Sequence, residues 1–457
     1  MDALLDPGSW NEYGAFAVAA QRSQRPLAEL AERTPADGVL TGTGRVGGAR
    51  VAVIAYDYTV LAGTQGLTGH RKTDRVLDLA HRDHLPVVLF AEGGGGRPSD
   101  TDHPTVAGLE LMTFARFAGL DSFRVGIAGG YCFAGNAALF GCCDVRIGIT
   151  GASIGMGGPA MIEGAGLGTV DPGDVGPLPV HLASGVVDLV VADDNAAVDA
   201  ARTLIGFATT GTAGGEAGTR RADQAGLRTA LPDSRRRAYD VHALLDVLLD
   251  AGSLLELQPA RGRAMVIGLA RLAGRPLGVM ANNPLHGAGA LDATAAGKAA
   301  RLLRLCQRLR LPVLTLCDTP GIMVGPDAER TGLVRAIGEL FEAGAGVTTP
   351  QVTVITRKAY GLGAMAMAGG SFHASRLTLA WPTAEIGAMG LEGAVRLAHR
   401  RRLEAIGDED ERRREVDRLV GLAYERGAAL SAAAGFELDD VIDPADTRGR
   451  IAEALFG

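Results

Sequence analysis

Residues 352–367, VTVITRKAYGLGAMAM, run from an apolar β-segment through a basic pair and a glycine turn into a helix of small residues, and the chain contains this pattern twice. Counting back 226 positions from Gly361, Leu362, Gly363 and Ala364 reaches Gly135, Asn136, Ala137 and Ala138, inside RVGIAGGYCFAGNAALFG. The same offset carries RVLDLAHRDHLPVVLFAEGGG, from Arg75, onto RLLRLCQRLRLPVLTLCDTPG, from Arg301. It also carries RVGGARVAVIAYD, from Arg45, onto RLAGRPLGVMANN, from Arg271. One offset held over three separated segments marks a duplicated α/β unit, with the chemistry expected where the turns of the two copies meet.

A chain of 457 residues with 47% hydrophobic content can form two cores of about 200 residues each. The polar run TTGTAGGEAGTRRADQAG reads as a flexible linker. The expected division is an N-terminal domain at 1–208, a linker at 209–234 and a C-terminal domain at 235–457. A net charge of −7 argues against a nucleic-acid partner, whose phosphates call for a basic face. No window approaches about 18 uninterrupted apolar residues, and the N-terminus lacks a basic region followed by an apolar core, so a soluble cytoplasmic protein without a membrane segment is expected. Cys132, Cys142, Cys143, Cys306 and Cys317 have no CxxC spacing, which points to buried reduced thiols and no metal site.

Short, nearly all-apolar strands are expected at 51–56, 86–91, 124–128 and 144–149, alternating with amphipathic helices near 70–84 and 104–119. The second unit repeats them, with strands at 264–270, 277–281, 312–317, 352–356 and 377–380 and helices at 241–253, 292–310 and 328–345. Strands of this kind separated by helices imply a largely parallel sheet covered on both faces. A first helix ending at Pro7 and Gly8 is expected at the N-terminus. The glycine-rich excursion at 152–193 is long enough to shape a pocket or an oligomer interface, and the charged tail from Asp408 has helical spacing.

Familiar catalytic signatures fail. Gly93, Gly94, Gly95 and Gly96 follow a strand, but no GK[ST] follows and the dinucleotide fingerprint is missing, so they point to close approach of a ligand or another backbone. There is no G-x-S-x-G elbow. His103, His181, His286 and His373 read as structural hydrogen-bonding residues. Glu163 and Glu385, after the last strands of the two halves, form a candidate acid–base pair of the kind a hydratase uses. What remains are the turns at Gly135 and Gly361. A helix starting at a strand's carboxyl end points unpaired N–H groups and the positive end of its dipole into the crevice, where an oxyanion can sit. One such donor is commonly worth about 3 kcal/mol in a transition state; the alternative is that both turns are only tight helix–sheet junctions.

VTVITRKAYG followed by AWPTAEIGAMGLEGAV resembles the C-terminal half of the carboxyltransferase (β) subunits of biotin-dependent acyl-CoA carboxylases of the propionyl-CoA carboxylase type, in the crotonase superfamily. LLDPGSW, LTGTGRV, LPDSRRRAYDVHALLD, LLELQPARGRAMVIGLARLAGRPLGVMANNP and LPVLTLCDTPGIMVG extend the likeness over nearly the whole chain. The resemblance implies two tandem crotonase-like α/β domains of the ββα-superhelix kind. It also implies an active site formed between the N-terminal half of one protomer and the C-terminal half of another, and a homo-oligomer, typically a hexamer. In such enzymes carboxybiotin releases CO₂, the ureido enolate removes the α-proton of an acyl-CoA, and the thioester enolate attacks CO₂. By resemblance, Gly135 and Asn136 would hold the thioester oxygen, and Gly361, Leu362 and Gly363 the ureido oxygen.

Two turns depart from the family pattern. Asn136 stands in AGNA where the family has AGGA, and GLGAM replaces GGAYD, so Met365 takes the place of an acid near the acyl pocket and suggests a longer or more apolar acyl group. Arg71 and Lys72, near a helix start, are candidates for binding coenzyme A. None of the three lysines, Lys72, Lys298 and Lys358, lies in a biotin attachment context, so biotin, biotin carrier and biotin carboxylase are expected on separate chains or as parts of a larger enzyme. Two other readings stay open: a biotin-independent crotonase-type decarboxylase or hydrolase, and a catalytically silent scaffold.

Overall fold

The computed structural model describes residues 1–102, 108–209 and 223–457. The chain divides into two compact units, Met1–Thr209 and Thr210–Gly457. Most of the polar run expected to be a linker, and His103, lie outside the described residues. From Asp223 the chain is ordered against the second unit: Gln224–Thr229 forms a 3₁₀ turn with Leu227 buried.

In the first unit a hairpin of Val39–Val46 and Ala49–Tyr56 is antiparallel, and the next strands, Val87–Phe90, Arg124–Ala128, Val145–Ile149 and Leu189–Val191, add in parallel. The second unit is built the same way: Met265–Leu272 pairs antiparallel with Arg275–Asn282, followed in parallel by Val313–Thr319, Gln351–Tyr360 and Leu377–Ala380. The sheets are therefore mixed, parallel apart from the hairpin edge. Both hairpin turns are fixed alike. Gly47 and Gly48 lie at φ 56° and 81° and Ala273 and Gly274 at 54° and 76°, the left-handed pair that a two-residue turn needs to match strand twist. Asp6 accepts from both N–H groups of the first turn, and Asp250 from both of the second.

Both bounds of four strands and α-helices recur at a displacement of 226: Val39–Val46 and Met265–Leu272, Ala49–Tyr56 and Arg275–Asn282, Leu67–Asp83 and Ala293–Leu309, Gly135–Gly141 and Gly361–Met367; the 3₁₀ turns Leu61–Gly63 and Gly287–Gly289 share it. The two long helices bury an apolar stripe on their sheets. Val76, Leu77 and Ala80 join Ile54 and Leu89 in the first core, while Leu302, Leu303 and Cys306 are buried in the second unit.

Three expectations change. The N-terminus is a turn, with Leu4 and Leu5 N–H bonded to Met1 O, and not a helix; Asn11–Glu12 then pairs with Gly42 and Thr43 at the sheet edge. Val39–Val46 is a strand that the apolar pattern hides, because Gly42 and Gly44 read as breakers. They are glycine because a Cβ on Gly42 would meet the Trp10 ring at 2.4 Å, and one on Gly44 the Leu5 side chain at 2.8 Å. The helix placed at 104–119 is Thr113–Ala118 among the described residues. All five cysteines are free, and all but Cys142 are buried. No helix among the described residues is long and apolar enough to cross a membrane.

Candidate active site

In the first unit the strand Arg124–Ala128 leads to the corner at Ala134, whose φ of 50° and ψ of −117° an L-residue rarely adopts. The corner is held from both sides: Ala134 N–H donates to Gly155 O at 2.9 Å, and Ala138 N–H to Ala134 O at 2.8 Å. The helix Gly135–Gly141 starts there without a side-chain cap, leaving the N–H groups of its first turn for a ligand. A Cβ at Gly135 would lie 2.1 Å from Gln65 Oε1, so any other residue there would push the Gln65 side chain aside.

Asn136 is fully buried, and its side chain faces inward. Its Nδ2 donates to the carbonyls of Gly63 at 3.3 Å and Glu92 at 3.2 Å, and its Oδ1 accepts from Gly95 N–H at 3.1 Å. The side chain thus locks the glycine loop to the turn, while the backbone N–H stays at the helix start. Gly93 is glycine for the same reason: its Cβ would meet Gly63 O at 2.2 Å and Asn136 Nδ2 at 2.3 Å. Within the four-glycine run the close approaches are at Gly93 and Gly95, whose Cβ would lie 2.6 Å from Ala134 Cβ, while nothing lies within 4 Å of one at Gly96.

A cleft of about 530 Å³ opens beside Gly135, lined by Gln65, His70, Leu109, Leu111, Phe114 and Met161 among others. Met161 comes from the glycine-rich excursion, on the short helix Pro159–Gly164. Arg97 and Asp100 also line the cleft but are committed: Arg97 binds Asp100 and Asp37, both buried. Burial pushes the Asp37 carboxyl up against the pull of Arg97.

In the second unit Gln351–Tyr360 runs into Gly361–Met367, again with no side-chain cap. Gly361 sits at φ 57°, and its Cβ would come within 2.7 Å of Ala388 O. Gly363 packs on Gly321, whose Cα would be 2.7 Å from an added Cβ. Leu362 is 58% exposed and Met365 39%. Met365 lines a cleft of about 650 Å³ together with Gly361, Ala364, Ile386 and Ala388. Behind the turn, Tyr360 donates to Glu385 Oε2 at 2.8 Å, and Arg235 lies 3.2 Å from Glu385 Oε1. The basic pair divides: Arg357 is buried against Asp318 at 2.9 Å, while Lys358 is partly exposed.

The other candidates take structural positions or none. Lys72 is a correction: its Nζ is buried and donates to Ala36 O at 2.7 Å and Val39 O at 2.5 Å, so it is not available to a phosphate. Burial pushes its pKa down to about 8. Arg71 is exposed on the same helix but does not line the cleft. His181 and His373 bond to backbone carbonyls, Glu163 is exposed, and Glu385 is committed to Tyr360 and Arg235. Sequence reading missed Gln65 and His70, which lie outside any motif and reach the cleft only through the fold.

A model of the carboxyl transferase domain family matches residues 1–456. The chain is 32% identical to the methylmalonyl-CoA carboxyltransferase 12S subunit of Propionibacterium freudenreichii subsp. shermanii, over 100% of its own length and 87% of that protein. It is 34% identical to a biotin-dependent acetyl-/propionyl-coenzyme A carboxylase beta6 subunit of Mycobacterium tuberculosis, over 93% and 90%. Among solved structures it resembles a single-chain, multi-domain long-chain acyl-CoA carboxylase (TM-score 0.90, 51% identity), covering 99% of this chain but only 46% of that one. It also resembles the hexameric transcarboxylase 12S with methylmalonyl-coenzyme A bound (TM-score 0.88, 30% identity), covering 99% and 87%.

Proposed function

The chain belongs to the carboxyl transferase domain family and is an acyl-CoA carboxyltransferase; we propose that its two uncapped turns divide the two oxyanions of that reaction between them. The observation that carries the proposal is that each helix, Gly135–Gly141 and Gly361–Met367, begins without a side-chain cap beside a cleft of its own unit. The N–H groups of Gly135 and Asn136 hold the thioester oxygen as charge builds on it, and those of Gly361, Leu362 and Gly363 hold the ureido oxygen of biotin. Donors fixed in this way cost no reorganisation during the reaction. Carboxybiotin, on a separate carrier, supplies the carboxyl group and the base for the α-proton. The lining of the second cleft leaves room for the bicyclic head of biotin, with small and apolar side chains at Ala359, Ala364 and Ile386 and a bare glycine at the turn.

The two units are read as tandem crotonase-like domains that arose by duplication, supported by the shared displacement of 226 in four strands and α-helices. A long acyl chain is the proposed substrate class. Met365 lines the second cleft, where the resemblance sets an acid facing the acyl group held by another protomer; Leu109, Leu111, Phe114 and Met161 give the first cleft an apolar lining, and the 51%-identical neighbour is named for long-chain acyl-CoA. The proposed assembly is a homohexamer working with biotin carboxylase and a biotin carrier, its hexameric form supported by the hexamer assembly of the 12S neighbour. The test is decarboxylation, with free biotin, of malonyl-CoA and of an alkylmalonyl-CoA that carries a long chain. Turnover should require biotin, and Gly361→Val, whose branched side chain meets Ala388 O, should abolish it while leaving acyl-CoA binding intact. Full activity in that variant removes the turn from the mechanism.

A further inference from the structure

His70 stands in the first cleft with a nitrogen that the fold does not use. It lies early in the helix Leu67–Asp83, with Asp74 one turn on and on the same face. Thr113, at the start of Thr113–Ala118, bridges the two: its Oγ1 donates to Asp74 Oδ1 at 2.6 Å and lies 3.0 Å from His70 Nδ1. A hydroxyl has one proton. Thr113 spends it on Asp74, so toward His70 it can only accept, and the imidazole proton sits on Nδ1.

The ring is neutral. Burial pushes its pKa below the ordinary histidine range, and Arg97 pushes the same way against Asp74 and Asp100. Nε2 is therefore a bare lone pair. His70 is only 6% exposed, it lines the cleft, and no described residue bonds its Nε2.

We propose that His70 Nε2 accepts an amide N–H from the pantetheine arm of the acyl thioester, which makes His70 a substrate-binding residue. The inference rests on reading this cleft as the acyl-CoA side. The thioester group and an alkyl chain carry no hydrogen-bond donor, so an acceptor here can only engage the arm, whose nearest donor is the amide beyond the two methylenes next to sulfur. Arg97 and Asp100 are bonded to each other, and Gln65 Nε2 is held by Tyr56 Oη at 3.2 Å. His70 Nε2 and Gln65 Oε1 are the side-chain acceptors left in the lining. The imidazole is the one whose orientation is fixed by a relay, so it sets where along the cleft the carbonyl carbon falls.

The experiment compares two malonyl thioesters in free-biotin-dependent decarboxylation: the N-acetylcysteamine thioester and its analogue with an ester oxygen in place of the amide N–H. Wild type should prefer the amide by about tenfold in kcat/KM, mostly through KM, the size of one neutral hydrogen bond. His70→Leu should lose the preference, and His70→Gln, whose amide oxygen can accept, should keep it. Thr113→Val should weaken it with His70 still present, because the proton is then free to move to Nε2. Circular dichroism checks that each variant is folded. Equal use of the two thioesters by wild type, or discrimination retained in His70→Leu, overturns the proposal while the carboxyltransferase reading stands. The same pair carrying a long alkyl chain on the malonyl carbon is assayed alongside, and a wild type that turns over none of these thioesters, long-chain alkylmalonyl-CoA included, overturns both.

Discussion

Asn136→Gly installs the residue that the family's turn usually carries, and the structure predicts that it damages this protein. The substitution deletes three buried hydrogen bonds at once, to Gly63 O, Glu92 O and Gly95 N–H. At about 1 kcal/mol each, and with buried partners left unpaired, the loss is about 3 kcal/mol before any contribution from the vacated space. For a unit of this size that lowers the midpoint by about 6 to 12 °C. The measurement is scanning calorimetry, following the transition of the first unit, with hydrogen exchange on the peptide containing Gly95, whose amide should lose protection. Asn136→Asp is the sharper control. It keeps the shape and the bond to Gly95 but turns a carboxyl toward two carbonyls. Burial raises that carboxyl's pKa in the folded state, so the folded protein holds the proton more tightly and stability falls as pH rises through the carboxylate range. A midpoint within about 2 °C of wild type for Asn136→Gly, with Gly95 still protected, would refute the idea that this side chain locks the loop.

Met365→Asp should move the chain-length preference toward short acyl-CoA, by about tenfold or more in the ratio of kcat/KM for a long against a three-carbon acyl group, since a charge is costly against an alkyl chain; an unchanged ratio removes Met365 from specificity. His242 gives the second unit a small pH dependence. Burial lowers its pKa, but hydrogen bonds to Asp240 at 2.6 Å and Glu256 at 2.9 Å outweigh this and raise it overall. A raised value contributes stability that is fully present below the ordinary histidine range near 6.5 and lost as pH climbs through the folded value. The half-exposed pair is screened, so the effect is modest. His242→Gln should flatten that part of the melting-temperature profile, and an identical slope in the variant contradicts the assignment.

The elements most legible in the sequence were those written in local apolar pattern. Arg124–Ala128 and Leu377–Ala380 have the expected bounds, and Leu67–Asp83 and Ala293–Leu309 fall within three residues of theirs, while the helix expected at 328–345 is split into Pro326–Glu329 and Leu333–Ala345. Those it concealed depend on distant partners. Val39–Val46 is hidden by two glycines that exist for Trp10 and Leu5. His70 depends on Thr113, and the burial of Lys72 on Ala36 and Val39, contacts that no motif encodes. Asn136 shows the limit most clearly. The 226 offset sets it opposite Leu362, and the two look like alternative solutions for one oxyanion turn. The hydrogen bonds say otherwise. Asn136 ties Gly63 O to Glu92 O, and in the second unit the equivalent positions, Gly289 and Asp318, are also joined by an asparagine, but it is Asn282 at the end of a strand: Nδ2 donates to Gly289 O at 3.1 Å, and Oδ1 accepts from Asp318 N–H at 3.2 Å. The same loop pair is locked in both units, from the turn in one and from the strand in the other. That releases position 362 from the core, and Leu362 is free to stand 58% exposed at the start of the helix. Aligned positions in the repeat therefore share backbone chemistry at the turn without sharing a side-chain role, and substitutions at 136 should be read in stability while those at 362 should be read in substrate binding.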